Sequence, residues 1–312
     1  MLTSKERIIS ILICILLAII IKLNFFNSKD STNKTKDNNK DIQIDNTNSY
    51  YYEEQVSLLT SKIPNTINYK VVNIFPRKNP TVYTQGLFYY NKTIYESGGL
   101  YKESTLTHME WPSQKIITKI NLEDKYFAEG IAASNTNNLL YQLTYREKEI
   151  LVYSFPDLKL KNKIKMPKEM REGWGMCSGR EKDEFFATDG SEKIFILKIN
   201  KENNELSYKS YIQVTYNMKT VHLLNELIYD GVYIYCNVYM NDVILKINPH
   251  NGEVMNIYKM RNLIDYELRN GNLTQNRVNN GDVLNGITYI HEKKSFIVTG
   301  KLWNYYYEIV LN

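Results

Sequence analysis

One short corner recurs along the chain and constrains its fold more than any other feature. In each copy an amide- or carboxylate-bearing residue is followed by Gly or Glu and then by a large apolar residue that opens a strand-like run. The five copies are Gln85-Gly86-Leu87, Glu129-Gly130-Ile131, Glu172-Gly173-Trp174, Asn225-Glu226-Leu227 and Asn285-Gly286-Ile287. They are separated by 44, 43, 53 and 60 residues, a period that is typical of propellers and other repeat architectures.

Each corner opens the first of four short runs rich in aromatic and β-branched residues, and the fourth run leads to the next corner. Four such strands, repeated five times, predict an all-β fold: a five-bladed β-propeller with four antiparallel strands per blade. The fifth unit ends on its third strand at Tyr305 to Leu311, whereas Tyr69 to Phe75 precedes the first corner in the position of a fourth strand. We therefore expect this N-terminal strand to complete the last blade and close the ring.

The first strand of each blade lines the axis of a propeller, so equivalent residues of the five blades should converge on one ring. The corners predict a ring of amide and carboxylate groups at one end of the channel, made of Gln85, Glu129, Glu172, Asn225 and Asn285. For any one of them the alternative is a side chain that satisfies turn amides. A polar group that recurs in five repeats instead favours a binding or catalytic site.

The residues favour acid/base catalysis over other chemistries. None of the four histidines pairs with a second His or a Cys at the spacing of metal ligands, and the chain has no Gly-x-Ser-x-Gly elbow or phosphate loop. We therefore expect no metal and no cofactor. Glu129 follows Tyr126 and Phe127, and burial beside these rings would raise the pKa of its carboxyl toward neutrality, as a proton shuttle requires. Lys301 is a candidate cation for the same site, with a solvent-facing strand end as the alternative.

The N-terminal residues predict a membrane or signal segment that is separate from the propeller. Residues 1–7 form an N-terminal tail, and residues 8–26 form an apolar run that fits a signal-anchor or a signal peptide. Residues 27–66 are polar and predict a tether, with a short helix expected at Tyr50 to Lys62. Residues 67–312 then form one catalytic propeller domain.

This N-terminal segment predicts entry into the secretory pathway. We expect a single-pass anchor with a lumenal or extracellular propeller, or a secreted protein if the segment is cleaved. Three sequons agree with this route: Asn33-Lys34-Thr35, Asn91-Lys92-Thr93 and Asn272-Leu273-Thr274. The net charge of +5 is scattered, so no nucleic-acid partner is expected, and we expect a monomer. Cys177 and Cys236 fall on strands of neighbouring blades and are expected to be buried free thiols.

Several collinear strings resemble the plant-type glutaminyl-peptide cyclotransferases, also called glutaminyl cyclases. They are YTQGLFYYNKTIYESGGLY, DKYFAEGIA, LYQLTY, EGWGM, LLNELIY, DVLNGITY and VTGKLW. They occur in the order and at the spacing of that family, over residues 69 to 311. The resemblance implies a five-bladed propeller, in agreement with the repeat count. It also implies conversion of the N-terminal glutamine of peptide or protein substrates to pyroglutamate, with release of ammonia.

The resemblance also implies the residues of the site. The positions that match those of the family are Gln85, Phe127, Glu129, Trp174, Asn225 and Lys301. Three rings depart from the plant pattern, since Tyr83 replaces a Phe and Tyr145 and Tyr239 replace Trp. The expected catalytic residues are Glu129, Lys301 and Asn225. The expected substrate-binding residues are Gln85, Trp174, Phe127, Tyr83, Tyr145, Tyr239 and Trp303.

In the expected mechanism, Glu129 takes a proton from the α-amine and delivers it to the departing ammonia, while Lys301 and Asn225 hold the γ-amide. Gln85 would orient Glu129 or the substrate amide. Two other functions stay open: a non-catalytic propeller that binds a peptide or protein at its channel face, and a calcium-dependent hydrolase that uses the central carboxylates. The polar insertion from Lys259 to Asp282 is either a lid over the channel or a surface loop.

Overall fold

The computed structural model describes Leu59, residues 69–134 and residues 136–312. Within this part of the chain, five four-stranded antiparallel sheets surround a common axis, and the inner strand of each sheet contacts the inner strands of its two neighbours. The predicted five-bladed β-propeller is therefore confirmed. The hydrophobic cores lie between adjacent blades, where the sheets pack face to face.

The inner strand comes first in each blade. Blade 1 contains β2 (Thr84–Tyr90), β3 (Thr93–Gly98), β4 (Thr105–Glu110) and β5 (Ile116–Asn121). Blade 2 contains β6 (Ala128–Ser134), β7 (Leu139–Thr144), β8 (Glu149–Ser154) and β9 (Leu160–Lys165). Blade 3 contains β10 (Met176–Ser178), β11 (Glu184–Thr188), β12 (Lys193–Ile199) and β13 (Leu206–Gln213). A small hairpin, β14 (Thr215–Tyr216) and β15 (Lys219–Thr220), precedes blade 4.

The last two blades complete the ring. Blade 4 contains β16 (Leu224–Tyr229), β17 (Ile234–Val238), β18 (Val243–Ile247) and β19 (Val254–Lys259). Blade 5 contains β20 (Leu284–Ile290), β21 (Ser295–Gly300), β22 (Tyr305–Leu311) and, as its outer strand, β1 (Tyr69–Pro76). β1 runs antiparallel to β22, with Tyr69 opposite Leu311 and Pro76 opposite Tyr305. This pairing confirms the predicted closure by the N-terminal strand.

A β-bulge marks the corner of four blades. In blade 4 the register between β16 and β17 shifts between Leu224 and Leu227, so that Asn225 and Glu226 lie opposite a single residue. β2, β6 and β20 show the same kind of shift at their corners. A bulge bends the strand and re-aims a side chain, which allows one polar residue per blade to turn inward at the mouth of the channel.

Blade 3 departs from the predicted ring. β10 begins its pairing with β11 at Met176, so the residue equivalent to Asn225 is Trp174 and not Glu172. The carboxylate of Glu172 instead accepts hydrogen bonds from Arg146 and from the indole of Trp174. The prediction was wrong by two residues because a second corner-like string begins at Trp174. A shift of two residues keeps a side chain on the same face of a strand, so alternation could not distinguish the two registers.

Glycine after the ring residue lets the inner strands approach closely. A Cβ at Gly130 would lie 2.4 Å from a backbone nitrogen of blade 3, and a Cβ at Gly175 would lie 2.3 Å from the carbonyl oxygen of Asn225. Blade 4 has Glu226 at this position. Its carboxylate reaches across to blade 1 and accepts a hydrogen bond of 2.9 Å from the backbone N–H of Leu87. One carboxyl group therefore fills part of the narrow channel below the ring.

The insertion before blade 5 contains two helices, α1 (Arg261–Asn270) and α2 (Gln275–Asn279). Thr274 caps α2 by accepting a hydrogen bond from the backbone N–H of Arg277. The guanidinium of Arg277 also donates to Asp282 at 2.7 Å and to the carbonyl of Leu302 at 3.2 Å. The insertion is therefore an ordered element whose end is tied to the turn after β21.

The predicted segment at 8–26 lies outside the described residues, as does the tether apart from Leu59. Leu59 is helical and packs in the core between blades 3 and 4. Within the described part of the chain, no helix is long and apolar enough to cross a membrane. Cys177 and Cys236 are buried and free, which confirms that prediction.

Candidate active site

The candidate site lies on the face of the propeller where the inner strands begin. Because the strands of a blade are antiparallel, the turns between the second and third strands lie on this same face. Tyr145, Tyr239 and Lys301 are the first residues of three such turns, directly after β7, β17 and β21. The fold thus brings turn residues of blades 2, 4 and 5 to the ring residues of all five blades.

Glu129 provides the carboxyl group of the ring, and two side-chain amides linked by hydrogen bonds hold it in place. The residue is 3% exposed, and its Oε1 accepts a hydrogen bond of 3.2 Å from Nε2 of Gln85. Oε1 of Gln85 in turn accepts a bond of 3.0 Å from Nδ2 of Asn285. Burial raises the pKa of the Glu129 carboxyl well above its ordinary value, and the opposing charge of Lys301 only partly offsets this. A carboxyl whose pKa is raised in this way holds a proton at a higher pH than an exposed glutamate does.

Lys301 supplies the cation of the site. Its Nζ lies 4.9 Å from the ring centroid of Tyr83 and 4.7 Å from that of Tyr239, distances at which an ammonium is attracted to an aromatic face. Burial lowers the pKa of Lys301 to about 8, whereas the charges of Glu129 and Asp282 act to raise it. Among the described residues its Nζ has no hydrogen-bond or ion-pair partner, so its donors are available to a substrate.

Asn225 occupies the ring position of blade 4. Its side chain is 3% exposed, and its Oδ1 is buried without a partner in the described part of the chain. A buried carbonyl oxygen without a donor is costly. The amide of Asn225 can therefore accept a hydrogen bond from a substrate carboxamide that enters the pocket.

Two groups of aromatic rings enclose these polar groups. Phe127 contacts Tyr101, Tyr145 and Tyr83, with ring centroids 5.4, 5.5 and 6.2 Å away. On the other side, Trp174 contacts Tyr239 edge to face at 5.7 Å. The three tyrosines that replace Phe or Trp of the plant pattern therefore keep their places in the walls. Tyr101 was not predicted, because nothing in its local sequence distinguishes it from the other tyrosines.

Trp303, another predicted substrate-binding residue, contacts the end of the insertion and strand β22. Its side chain is fully buried, its indole N–H donates to the carbonyl of Asp282 at 3.2 Å, and its ring packs edge to face on Tyr307. Trp303 therefore supports the turn that carries Lys301. Asp282, whose charge acts on Lys301, was missed because it ends an insertion without periodicity.

Carboxylates are also sparse among the ring residues themselves. With Trp174 at the ring position of blade 3, Glu129 is the only acidic group among the five ring residues that the structure describes. In the described ranges, no three His, Cys, Asp or Glu side chains come together as metal ligands would. This supply of ligands is thin for the calcium-dependent alternative.

Comparison with known proteins assigns the family. A family model described as glutamine cyclotransferase matches residues 46–311. The chain belongs to the glutamine cyclotransferase family. Among curated members, it is 30% identical to the glutaminyl-peptide cyclotransferase of Arabidopsis thaliana over 244 residues, which cover 78% of this chain and 71% of the plant protein. The crystal structure of the Myxococcus xanthus glutaminyl cyclase has the same fold, with a TM-score of 0.67 and 24% identity over 78% of this chain and 96% of that one.

Proposed function

We propose that this glutamine cyclotransferase family member converts the N-terminal glutamine of peptides or proteins to pyroglutamate and releases ammonia. The single observation that supports the proposal most directly is the presence of two buried ionisable groups of opposite charge in one aromatic pocket. Glu129 has a raised pKa and Lys301 a lowered one, so both change protonation closer to neutrality than exposed groups of their type. The family assignment supplies the reaction class.

The mechanism that we propose uses only these side chains. The α-amine of the substrate attacks the carbon of its own γ-carboxamide, a new C–N bond forms, and the carbonyl electrons move onto oxygen. Glu129 accepts the proton that the amine loses and passes it to the amide nitrogen, which leaves as ammonia when the original C–N bond breaks. The attack is intramolecular, so holding the glutamine side chain folded back supplies much of the rate acceleration.

Lys301 and Asn225 have complementary parts in this scheme. The ammonium of Lys301 opposes the negative charge on the oxygen of the tetrahedral intermediate, where a cation in a water-poor pocket is most effective. The unpartnered Oδ1 of Asn225 accepts from the N–H of the carboxamide. The rings of Phe127 and Trp174 exclude water and so protect the amide from hydrolysis.

The experiment that tests this function is ammonia release from a Gln-initiated peptide, with the Glu129→Gln variant as the control. Wild-type protein should release one ammonia per lost α-amine, and the folded variant should release none. Chelation with EDTA should leave the rate unchanged. A folded wild-type protein that releases no ammonia from several peptides would favour the binding propeller, and activity that EDTA abolishes and zinc restores would overturn the metal-free mechanism.

We also propose that the propeller works in the secretory pathway or outside the cell, as a monomer that is anchored to the membrane through residues 8–26. The sequons at Asn91 and Asn272 support this location, because both asparagines are exposed. In a eukaryotic host, endoglycosidase should increase the mobility of the wild-type protein and not that of the Asn91→Gln, Asn272→Gln double variant. In sealed vesicles whose outer face is cytosolic, protease added outside should not digest the propeller. Digestion of the propeller would contradict the proposed topology.

A further inference from the structure

We propose that Asn285 is a positioning residue for the cyclase reaction, which fixes the direction of the Gln85 amide and thereby the orientation of Glu129. Asn285 is the ring residue of blade 5, and the mechanism described above does not use it. Its side chain is fully buried. The inference rests on the proposed function, but it concerns a residue that touches neither Glu129 nor the cation of the site.

The argument begins with the two bonds that Asn285 donates. Its Nδ2 donates to the backbone carbonyl of Thr84 and to Oε1 of Gln85, each at 3.0 Å. The backbone bond ties the Asn285 amide to the residue before Gln85, so the donor group faces Gln85 in a fixed orientation. Turning the Asn285 amide over would place its Oδ1 against the Thr84 carbonyl, and two acceptors would then face each other.

The second step is the consequence for Gln85. A side-chain amide can present either its oxygen or its nitrogen to a neighbour. Because Asn285 donates to Oε1 of Gln85, the opposite end of the Gln85 amide, Nε2, must face Glu129, and it donates to Oε1 of Glu129 at 3.2 Å. Three blades are thus connected by one directional chain of hydrogen bonds, from blade 5 through blade 1 to blade 2.

The third step concerns Glu129. A donor on Oε1 favours the ionised form, which opposes the effect of burial, and it restricts the rotation of the carboxyl group. In the described part of the chain Oε2 has no donor, so this oxygen is left to exchange the proton with the substrate. Without Asn285 the Gln85 amide could turn its oxygen toward Glu129, and two acceptors would then repel each other. Glu129 would lose both its orientation and part of its ionised population.

The test is a double-mutant cycle on ammonia release, using Asn285→Ala, Gln85→Ala and the double variant. We expect Asn285→Ala to lower kcat by about tenfold to a hundredfold, the order of a small misplacement of a reacting group. KM should change little. If Asn285 acts through Gln85, its substitution should have almost no further effect in the Gln85→Ala background. If Asn285→Ala lowered kcat by the same factor in the wild-type and the Gln85→Ala backgrounds, the inference would be overturned.

A matched control separates positioning from folding. Asn73 lies in β1 of the same blade and donates through Nδ2 to the carboxylate of Glu308 at 2.8 Å, far from the ring. Asn73→Ala removes a bond of the same type and should leave kcat unchanged. Asn285→Asp provides a second variant of nearly the native shape. It replaces the donor by an acceptor and should reverse the Gln85 amide, so that kcat falls at least as far as in Asn285→Ala.

A direct readout does not depend on activity. Carbon-13 NMR titration of the Glu129 carboxyl should show a higher pKa in Asn285→Ala than in wild type, and the acid limb of kcat/KM should move to higher pH with it. The other groups that face Glu129 are unchanged by the variant; they are Lys301, Glu147, Glu172, Glu226, Tyr83, Tyr145 and Tyr239. An unchanged Glu129 titration with native kcat would overturn the inference. Loss of the proposed function would appear separately, as a wild-type protein without activity.

Discussion

In the proposed mechanism, Lys301 has the side chain whose protonation state matters most for binding the developing oxyanion. Its pKa is lowered to about 8 by burial, and Glu129 and Asp282 act in the opposite direction. The cation is therefore lost as the pH rises through about 8. Over the same interval the α-amine of the substrate becomes neutral, which favours attack. The reaction should consequently have a pH optimum bounded on the alkaline side by Lys301.

Asp282→Asn tests this assignment, because it removes one of the two charges that raise the pKa of Lys301. The variant keeps an oxygen that can accept from Arg277. We expect the alkaline limb of kcat to move to lower pH, with little change in Tm. Asp265→Asn is the matched control, since that carboxylate pairs with Arg261 on helix α1. An alkaline limb that does not move in Asp282→Asn would exclude Lys301 as the group that titrates there.

Glu226 gives a second prediction at the level of single residues, this time for stability. Burial raises the pKa of its carboxyl well above the ordinary value, although the N–H groups of Leu87 and Met176 act to lower it. The folded state therefore binds more protons than the unfolded state at pH values between the unfolded and folded pKa. The free energy of unfolding falls as the pH rises through this interval.

Glu226→Gln removes this dependence, because the amide has a similar shape and carries no charge. The variant should resemble wild type at about pH 4 and be more stable than wild type at about pH 8, as measured by Tm. Glu184→Gln provides a contrast, since the buried Glu184 carboxylate is paired with Arg180 and Lys209. That substitution should destabilise the protein at neutral pH. A stabilisation of Glu226→Gln that is equal at both pH values would contradict the explanation.

The inner strands are the elements that bring the site together, and glycine determines how closely they can approach. A Cβ at Gly175 would lie 2.3 Å from the carbonyl oxygen of Asn225 and 2.7 Å from the Cα of Glu226. Both neighbours are backbone atoms, which cannot move without displacing a strand. Blades 3 and 4 would have to separate at the point where Trp174 and Asn225 face the pocket.

Gly175→Ala should therefore lower both stability and kcat, with a cost in unfolding free energy of about 1–3 kcal/mol or more, as for other overpacked cores. Gly86→Ala is a graded comparison at the same position of blade 1, because its Cβ would meet its closest neighbour at 3.0 Å. Chemical denaturation and ammonia release measure the two effects. Equal losses in both variants would show that close approach of the strands is not the cause.

The sequence predicted the elements better than it predicted their register. Five repeats of four β-rich runs were sufficient for the blade count, because the period does not depend on one residue. The predicted register of blade 3 was wrong, because Glu172 and Trp174 lie on the same face of the strand and both begin a corner-like string. Asp282 and Tyr101 could not be found, because contacts between distant loops leave no local pattern in the chain. The predicted catalytic residues Glu129, Asn225 and Lys301 do lie on one face, but their roles stay predictions.

At the scale of the whole molecule, the site depends on closure of the ring. Every blade contributes at least one residue to the pocket, for example Gln85, Glu129, Trp174, Asn225 and Lys301. The blades are held in a circle by contacts between neighbouring inner strands and by the single seam at which β1 joins β22. Opening this seam would release β1 from blade 5 and leave the direct contacts between blades 5 and 1, such as those of β20 with β2, to hold Lys301 and Asn285 near Gln85.

Deletion of β1 tests this dependence. A chain that begins at residue 67 keeps β1 and should release ammonia, with a Tm lowered by the loss of Leu59 from the core. A chain that begins at Arg77 should have a still lower Tm, little activity and a tendency to associate. The reason is that β22 would become an exposed edge strand with unpaired backbone groups. Most side chains of β1 are exposed, so the loss of stability would come mainly from the backbone hydrogen bonds between β1 and β22 and from the contact of Phe75 with Trp111.

A synthetic peptide of residues 69–76 should restore activity to the shortened chain, and a peptide with Pro in place of Val71 and Asn73 should not. Native Tm and activity in the chain from Arg77 would show that the ring is closed by inner-strand contacts alone.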